Sequence, residues 1–193
     1  MTSLATTWQQ RFFGVIQHPE TADALRGASL RADMRAWTTA LTAAVVEACA
    51  QMGWVATAKG HRLELLPVSR SEYLSLDAVA FAEGAGRWRF PTAVMELENK
   101  AQDDSIAYSL WKVLCVRAGL RAVFCYRPDA EAGAPLVRRL RDEVISGMEL
   151  PHLAGLHGET LVVVGSRGEA ATFPYAFFKW WRLDANTGQF GLL

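Results

Sequence analysis

Apolar positions recur at helical spacing at Leu4, Trp8, Phe12, Val15 and Ile16, which predicts a first helix from Ser3 to Gln17 that ends before Pro19. A second helix is expected after Asp33, which can cap it. Its stripe is Trp37, Leu41, Ala44, Val45, Ala48 and Met52, with Gly53 as the stop. Val55–Ala58 and Arg62–Leu66 then read as short strands around Lys59-Gly60. Tyr73–Phe81 and the run ending at Leu97 read as two more strands, with the Gly-rich stretch Glu83–Arg87 reversing the chain between them. A helix capped by Asp103 or Asp104 follows, carrying Ile106, Leu110, Trp111, Val113 and Leu114. The remaining pattern predicts a strand at Ala122–Tyr126 broken by Pro128, a helix at Pro135–Ser146, a strand at Leu161–Gly165 and a late aromatic strand at Phe177–Trp181. Strands gathered in the middle with helices on both sides predict an α/β domain with a central mixed β-sheet flanked by helices.

Within that pattern one stretch breaks the rule that strands bury apolar groups. In Ala93-Val94-Met95-Glu96-Leu97-Glu98-Asn99-Lys100, alternation puts Glu96, Glu98 and Lys100 on one face and Ala93, Met95 and Leu97 on the other. Charges near a buried face cost several kcal/mol unless paired or bound to a cation. Asp77 stands alone in the apolar half of the preceding strand, and pairing through the turn brings it beside Glu96 and Glu98. Hard divalent cations take such oxygen ligands, so the pattern points to a Mg²⁺ or Mn²⁺ site suited to phosphodiester hydrolysis, with a nearby ammonium steadying the developing charge.

These residues resemble the core of the PD-(D/E)xK nuclease superfamily, which has a restriction endonuclease-like fold. Asp77 matches the Asp that starts a strand, and the Glu96 region matches the second motif. Asp104–Ala118 followed by Arg121–Tyr126 matches the helix and strand that come next. The resemblance covers residues 35 to 127, leaving 128 to 193 as a C-terminal extension of a single domain. Two registers are open. Glu98-Asn99-Lys100 is a literal E-x-K, whereas Glu96-Leu97-Glu98 is an E-x-E with the better apolar lead-in and Lys100 swinging back. Leu76, not Pro, precedes Asp77. The resemblance implies a metal held by Asp77, Glu96 and the Leu97 carbonyl. It also implies a water positioned by Glu98 or Lys100, and Glu47 of the second helix as an acid that orients it. DNA is the implied substrate, and a homodimer is among the expected partners. The competing class is a binding or assembly module that keeps the fold without catalysis.

Composition narrows the rest. The chain has 193 residues, half of them hydrophobic, which suits one domain with a sizeable core. Twenty basic and twenty acidic side chains cancel, so any nucleic-acid footprint has to be local. Cys49, Cys115 and Cys125 form no C-x-x-C, which predicts neither zinc nor disulfides and fits a reducing cytoplasm. The first residues lack the pattern of a signal peptide, and no apolar run is long enough for a membrane span. Tyr108 and Lys112, four apart, read as an ordinary exposed pair. The run Arg138-Arg139-Leu140-Arg141 reads as a solvated helix face.

Overall fold

The computed structural model describes residues 3–68, 73–84 and 86–193. Three helices come first. α1 (Leu4–Gln17) is capped by the Ser3 hydroxyl, which accepts the Thr6 N–H. α2 (Pro19–Leu30) begins at once, because proline at the first helical position gives up an N–H that has no partner there anyway. Pro19 thus opens a helix as well as ending α1, and α2 is an element that the apolar periodicity does not predict. α3 (Met34–Ala50) is capped by Asp33, whose carboxylate accepts the Ala36 N–H, and the chain turns beyond it at Gly53 with φ of +73°.

The strands β1 (Trp54–Ala58), β2 (Ala78–Ala82) and β3 (Ala93–Leu97) form an antiparallel meander. The helix α4 (Asp103–Leu114) then crosses over to β4 (Leu120–Arg127), which runs parallel to β3. The helix α5 (Gly133–Leu140), continued by a π-helical turn at Arg141–Ile145, and the short α6 (Leu150–Ala154) make the second crossover, to β5 (Glu159–Ser166). The antiparallel strands β6 (Phe178–Asp184) and β7 (Gln189–Leu192) complete a seven-stranded mixed sheet whose spatial order is its chain order.

Helices cover both faces. α1–α3 bury Trp8, Phe12, Trp37, Leu41 and Val45 against Met95, Leu97, Ala122, Phe124, Leu161 and Val163. α4–α6 bury Ile106, Leu110, Val113, Leu136, Leu140 and Leu153 against Val79, Val94, Val123 and Val162. Each of these larger side chains contributes roughly 1.5–3 kcal/mol. Two-sided cover explains why β4 and β5 read as continuous apolar runs and not as alternating ones. α1 reaches across to the late strands: Ala5 N–H donates to Glu159 Oε2 at 2.8 Å, and the Trp8 and Phe12 rings lie 5.9 and 5.7 Å from those of Trp180 and Phe178.

Several expected boundaries move. Arg62–Leu66 is not a strand: the Tyr73 hydroxyl takes the Leu65 and Leu66 N–H groups, and the isolated bridge Ala58–His61 follows β1. Tyr73–Ser75 is a 3₁₀ turn with Leu74 and Ser75 at positive φ, so β2 starts after Asp77 and not four residues before it. Asp103 and Asp104 lie in the first turn of α4, whose capping position belongs to Gln102. The expected reversal at Glu83–Arg87 includes Ala85, which lies outside the described residues.

Candidate metal and phosphate site

The pairing of β2 with β3 sets Ala78 opposite Met95, and the same register continued by one residue sets Asp77 opposite Glu96. Both side chains project from the face that α4 covers, as do Val79 and Val94. The turn at Tyr73–Ser75 hands the chain to β2 so that Asp77 crosses the strand end: its Oδ2 accepts the Leu97 N–H at 2.8 Å, and its own N–H points at Glu96 Oε1 at 3.4 Å. Like charges directly opposite on neighbouring strands repel. Something must offset that repulsion.

Lys112 of α4 does so. Its Nζ lies 2.8 Å from Glu96 Oε1 and 2.9 Å from the Ser75 carbonyl. The helix delivers it because Ile106, Leu110 and Val113 press α4 onto the sheet, which leaves Lys112 at the edge of the buried stripe over the ends of β2 and β3. Tyr108, one turn earlier and exposed, has its ring centroid 5.9 Å from the same ammonium. Lys112 is thus a member of the cluster, not half of an exposed pair with Tyr108. Its i, i+4 spacing from Tyr108 was visible in the sequence, but its partner across the fold was not.

Glu96 is 6% exposed, and burial pushes its carboxyl from the ordinary 4.5 up to about 7. The hydrogen bond and charge of Lys112 pull the other way, and the Asp77 charge adds to the upward push. Desolvation wins, so Glu96 titrates near neutrality while held between a cation and a second carboxylate.

The other expected members stand apart from this cluster. Glu98 lies just past β3, where its Oε1 accepts the Lys100 N–H at 2.7 Å. Lys100 is exposed and reaches the cluster through neither register of the motif. Glu47 is a correction of position: it sits on the exposed face of α3 and bonds Gln51, on the opposite side of the sheet from Glu96. Its helix turns Ala44, Val45 and Ala48 inward, and the acid one position off that stripe faces out. The Leu97 N–H is engaged by Asp77, which fixes the end of β3 beside the two acids. Asn99 Nδ2 bonds the Thr38 hydroxyl at 2.9 Å and ties the segment after β3 to α3.

Among the described residues, no group of three or more His, Cys, Asp or Glu side chains is arranged to hold a metal ion. The pair Asp77 and Glu96 is a smaller donor set of the kind Mg²⁺ uses, since that ion keeps several waters and needs only one or two protein carboxylates. Behind the cluster, Asp103 in the first turn of α4 pairs with Arg127 at the end of β4 and, at 2.8 Å, with Arg139 of α5, which locks α4 over the strand ends. Comparison of the chain with family models, with curated proteins and with solved structures gives no match. No helix among the described residues is long and apolar enough to cross a membrane.

Proposed function

We propose that this protein is a metal-dependent nuclease that hydrolyses phosphodiester bonds in DNA, with Asp77 and Glu96 as Mg²⁺ ligands and Lys112, rather than Lys100, as the ammonium of the site. The observation that carries the reading is the meeting of Asp77, Glu96 and Lys112 at one sheet end, within the contacts given above. The order α3, β1, β2, β3, α4, β4 agrees with the element order implied by the resemblance to the PD-(D/E)xK superfamily, which supports a restriction endonuclease-like arrangement. In this reading Glu96 and not Glu98 is the motif acid, and the role expected of Lys100 passes to a side chain from the following helix.

Hydrolysis adds a water oxygen to phosphorus and releases one ester oxygen with a proton. When bound, the cation polarises a phosphoryl oxygen and lowers the pKa of its water. Lys112 supplies a fixed positive charge beside the acids, and the Ser75 carbonyl keeps its Nζ aimed at them. Glu96, with a proton affinity near neutrality, is the carboxylate whose charge state follows metal occupancy.

The test is cleavage of plasmid and oligonucleotide DNA with Mg²⁺ or Mn²⁺, against a chelator control. Asp77→Asn, Glu96→Gln and Lys112→Met should each remove cleavage, while Glu47→Ala and Lys100→Ala keep it. Loss of cleavage in Lys100→Ala with retention in Lys112→Met would return the site to the E-x-K register. The second reading is a DNA-binding module without catalysis. Its supporting observation is that Lys112 and the Leu97 N–H already satisfy both acids without a metal. Absence of both cleavage and a metal-induced rise in melting temperature would favour it.

A further inference from the structure

On the α3 side, the same sheet end opens into a cleft that the Asp77–Glu96–Lys112 cluster does not use. It encloses about 600 Å³ and is lined by Arg35, Thr38, Thr39 and Thr42 of α3 and by Lys59, Gly60 and His61 of the turn after β1. The turn is held firmly: Ala58 and His61 exchange backbone hydrogen bonds of 3.1 and 2.9 Å, and Gly60 takes the positive φ of +83° that a two-residue reversal needs. Among the described residues, no acidic side chain lines the cleft. Arg35 and Lys59 are exposed and, with His61, have no ion pair among the described residues. Arg127, Arg139, Arg141 and Arg182 are paired with carboxylates, whereas Arg35 and Lys59 line one cleft without such a partner, unlike Arg11 and Arg138, which are unpaired among the described residues but do not line it. The cleft therefore concentrates uncompensated positive charge beside the candidate site.

The register fixes its relation to that site. Ala58 pairs with Ala78, and Ala78 with Met95, so the Lys59 turn lies two strand spacings from the end of β3, roughly 10 Å. Asn99, two residues past the end of β3, reaches the cleft: its Nδ2 bonds Thr38 on the cleft wall, while its buried Oδ1 has no partner among the described residues. We propose that the cleft binds a phosphate of the DNA strand whose scissile phosphodiester lies at Asp77, Glu96 and Lys112, so that the strand runs across the ends of β1, β2 and β3. This deepens the nuclease reading and rests on it. Arg35 offers a planar fork that matches phosphate oxygens, and Lys59 a compact charge. Such contacts set register and affinity without reading sequence.

The experiment measures binding of a dye-labelled DNA oligonucleotide by fluorescence anisotropy in chelator, over a range of salt concentrations. The double variant Arg35→Ala/Lys59→Ala is compared with Arg11→Ala/Arg138→Ala, which removes equal charge from exposed sites elsewhere. The cleft variant should bind roughly tenfold more weakly, and its dependence of log K on log salt should be shallower by about one to two. The control should match the wild type within twofold. Equal losses in both variants would mean that only net charge matters, and wild-type binding by the cleft variant would remove the cleft from the path; either overturns the inference. Metal-induced melting shifts and cleavage separate this from failure of the nuclease reading. If the wild type cleaves DNA and the cleft variant binds normally, only the cleft assignment falls. If the wild type shows neither binding nor a metal shift, both fall.

Discussion

Replacing Glu96 with Gln isolates the energetic signature of the candidate site. The Glu96 carboxyl has a folded-state pKa of about 7 against an ordinary 4.5, so the folded protein holds its proton more tightly than the unfolded chain does. Between those values the native state binds more protons than the unfolded state, and stability falls as pH rises. Below about pH 4.5 the acid is protonated in both states and costs nothing; above about pH 7 it is ionised in both, and the full cost of about 3 kcal/mol is in place. Gln mimics the protonated acid and can still accept from Lys112 and the Asp77 N–H. Glu96→Gln in chelator should therefore exceed the wild type by only about 1 kcal/mol at pH 5 and by up to about 3 kcal/mol at pH 8, the latter roughly 6–12 °C in melting temperature for a chain of this size. Adding Mg²⁺ at pH 8 should raise the wild-type melting temperature and leave the variant unmoved, because a ligand stabilises only the state that binds it. Thermal melts across pH 5 to 8, with and without metal, read both effects. Parallel pH curves for the two proteins would refute the buried, strained state of Glu96. A metal shift that survives in Glu96→Gln would refute its role as a ligand.

Other perturbations follow from the same geometry. Lys112→Met should push the Glu96 pKa above its present value and cost roughly 1–3 kcal/mol at pH 8 in urea unfolding, with a smaller cost at pH 5, where Glu96 is protonated. Arg121 is 2% exposed and donates to the Val116 and His157 carbonyls at 2.9 Å each, so Arg121→Met should leave two buried acceptors bare and cost about 2–4 kcal/mol by denaturant melt at neutral pH. Gly158 combines φ of +83° with a site where an added Cβ would lie 2.4 Å from the Gly119 carbonyl oxygen; Gly158→Ala should lower the melting temperature by more than ~5 °C, and a neutral result would contradict the tight packing of the two helix-to-strand junctions there.

The long elements were legible because their periodicity and their burial coincide. α3 keeps Trp37, Leu41, Ala44, Val45 and Ala48 inward, and Asp33 caps it as its position before the stripe suggests. Signals that serve two structures were misread. Pro19 both ends one helix and begins the next, with His18 lying between them. Arg62–Leu66 alternates like a strand, but the Leu63 N–H goes to the Thr57 hydroxyl and those of Leu65 and Leu66 to the Tyr73 hydroxyl instead of a neighbouring strand. In the candidate site, the proximity of Asp77 and Glu96 followed from local alternation and a short reversal. Lys112 did not, because helical spacing says which face a lysine shares and nothing about which strand end that face meets. The outward orientation of Glu47 was not legible either, because a place at the edge of a stripe is compatible with either side of it.

The way α1 closes the molecule has a consequence for its birth on the ribosome. Trp8 and Phe12 are made well before the rings that cover them, Phe124, Phe178 and Trp180, which belong to strands that emerge much later. The meander and both crossovers join neighbours in sequence and can form as they emerge, but the aromatic side of α1 has only Phe124 of β4 against it until β6 arrives. A nascent chain stopped before Phe178 should therefore carry a partly exposed amphipathic α1 and recruit a holdase chaperone, and a chain extended through β7 should shed that chaperone. Cross-linking from position 9 or 10 of stalled chains would follow the handover.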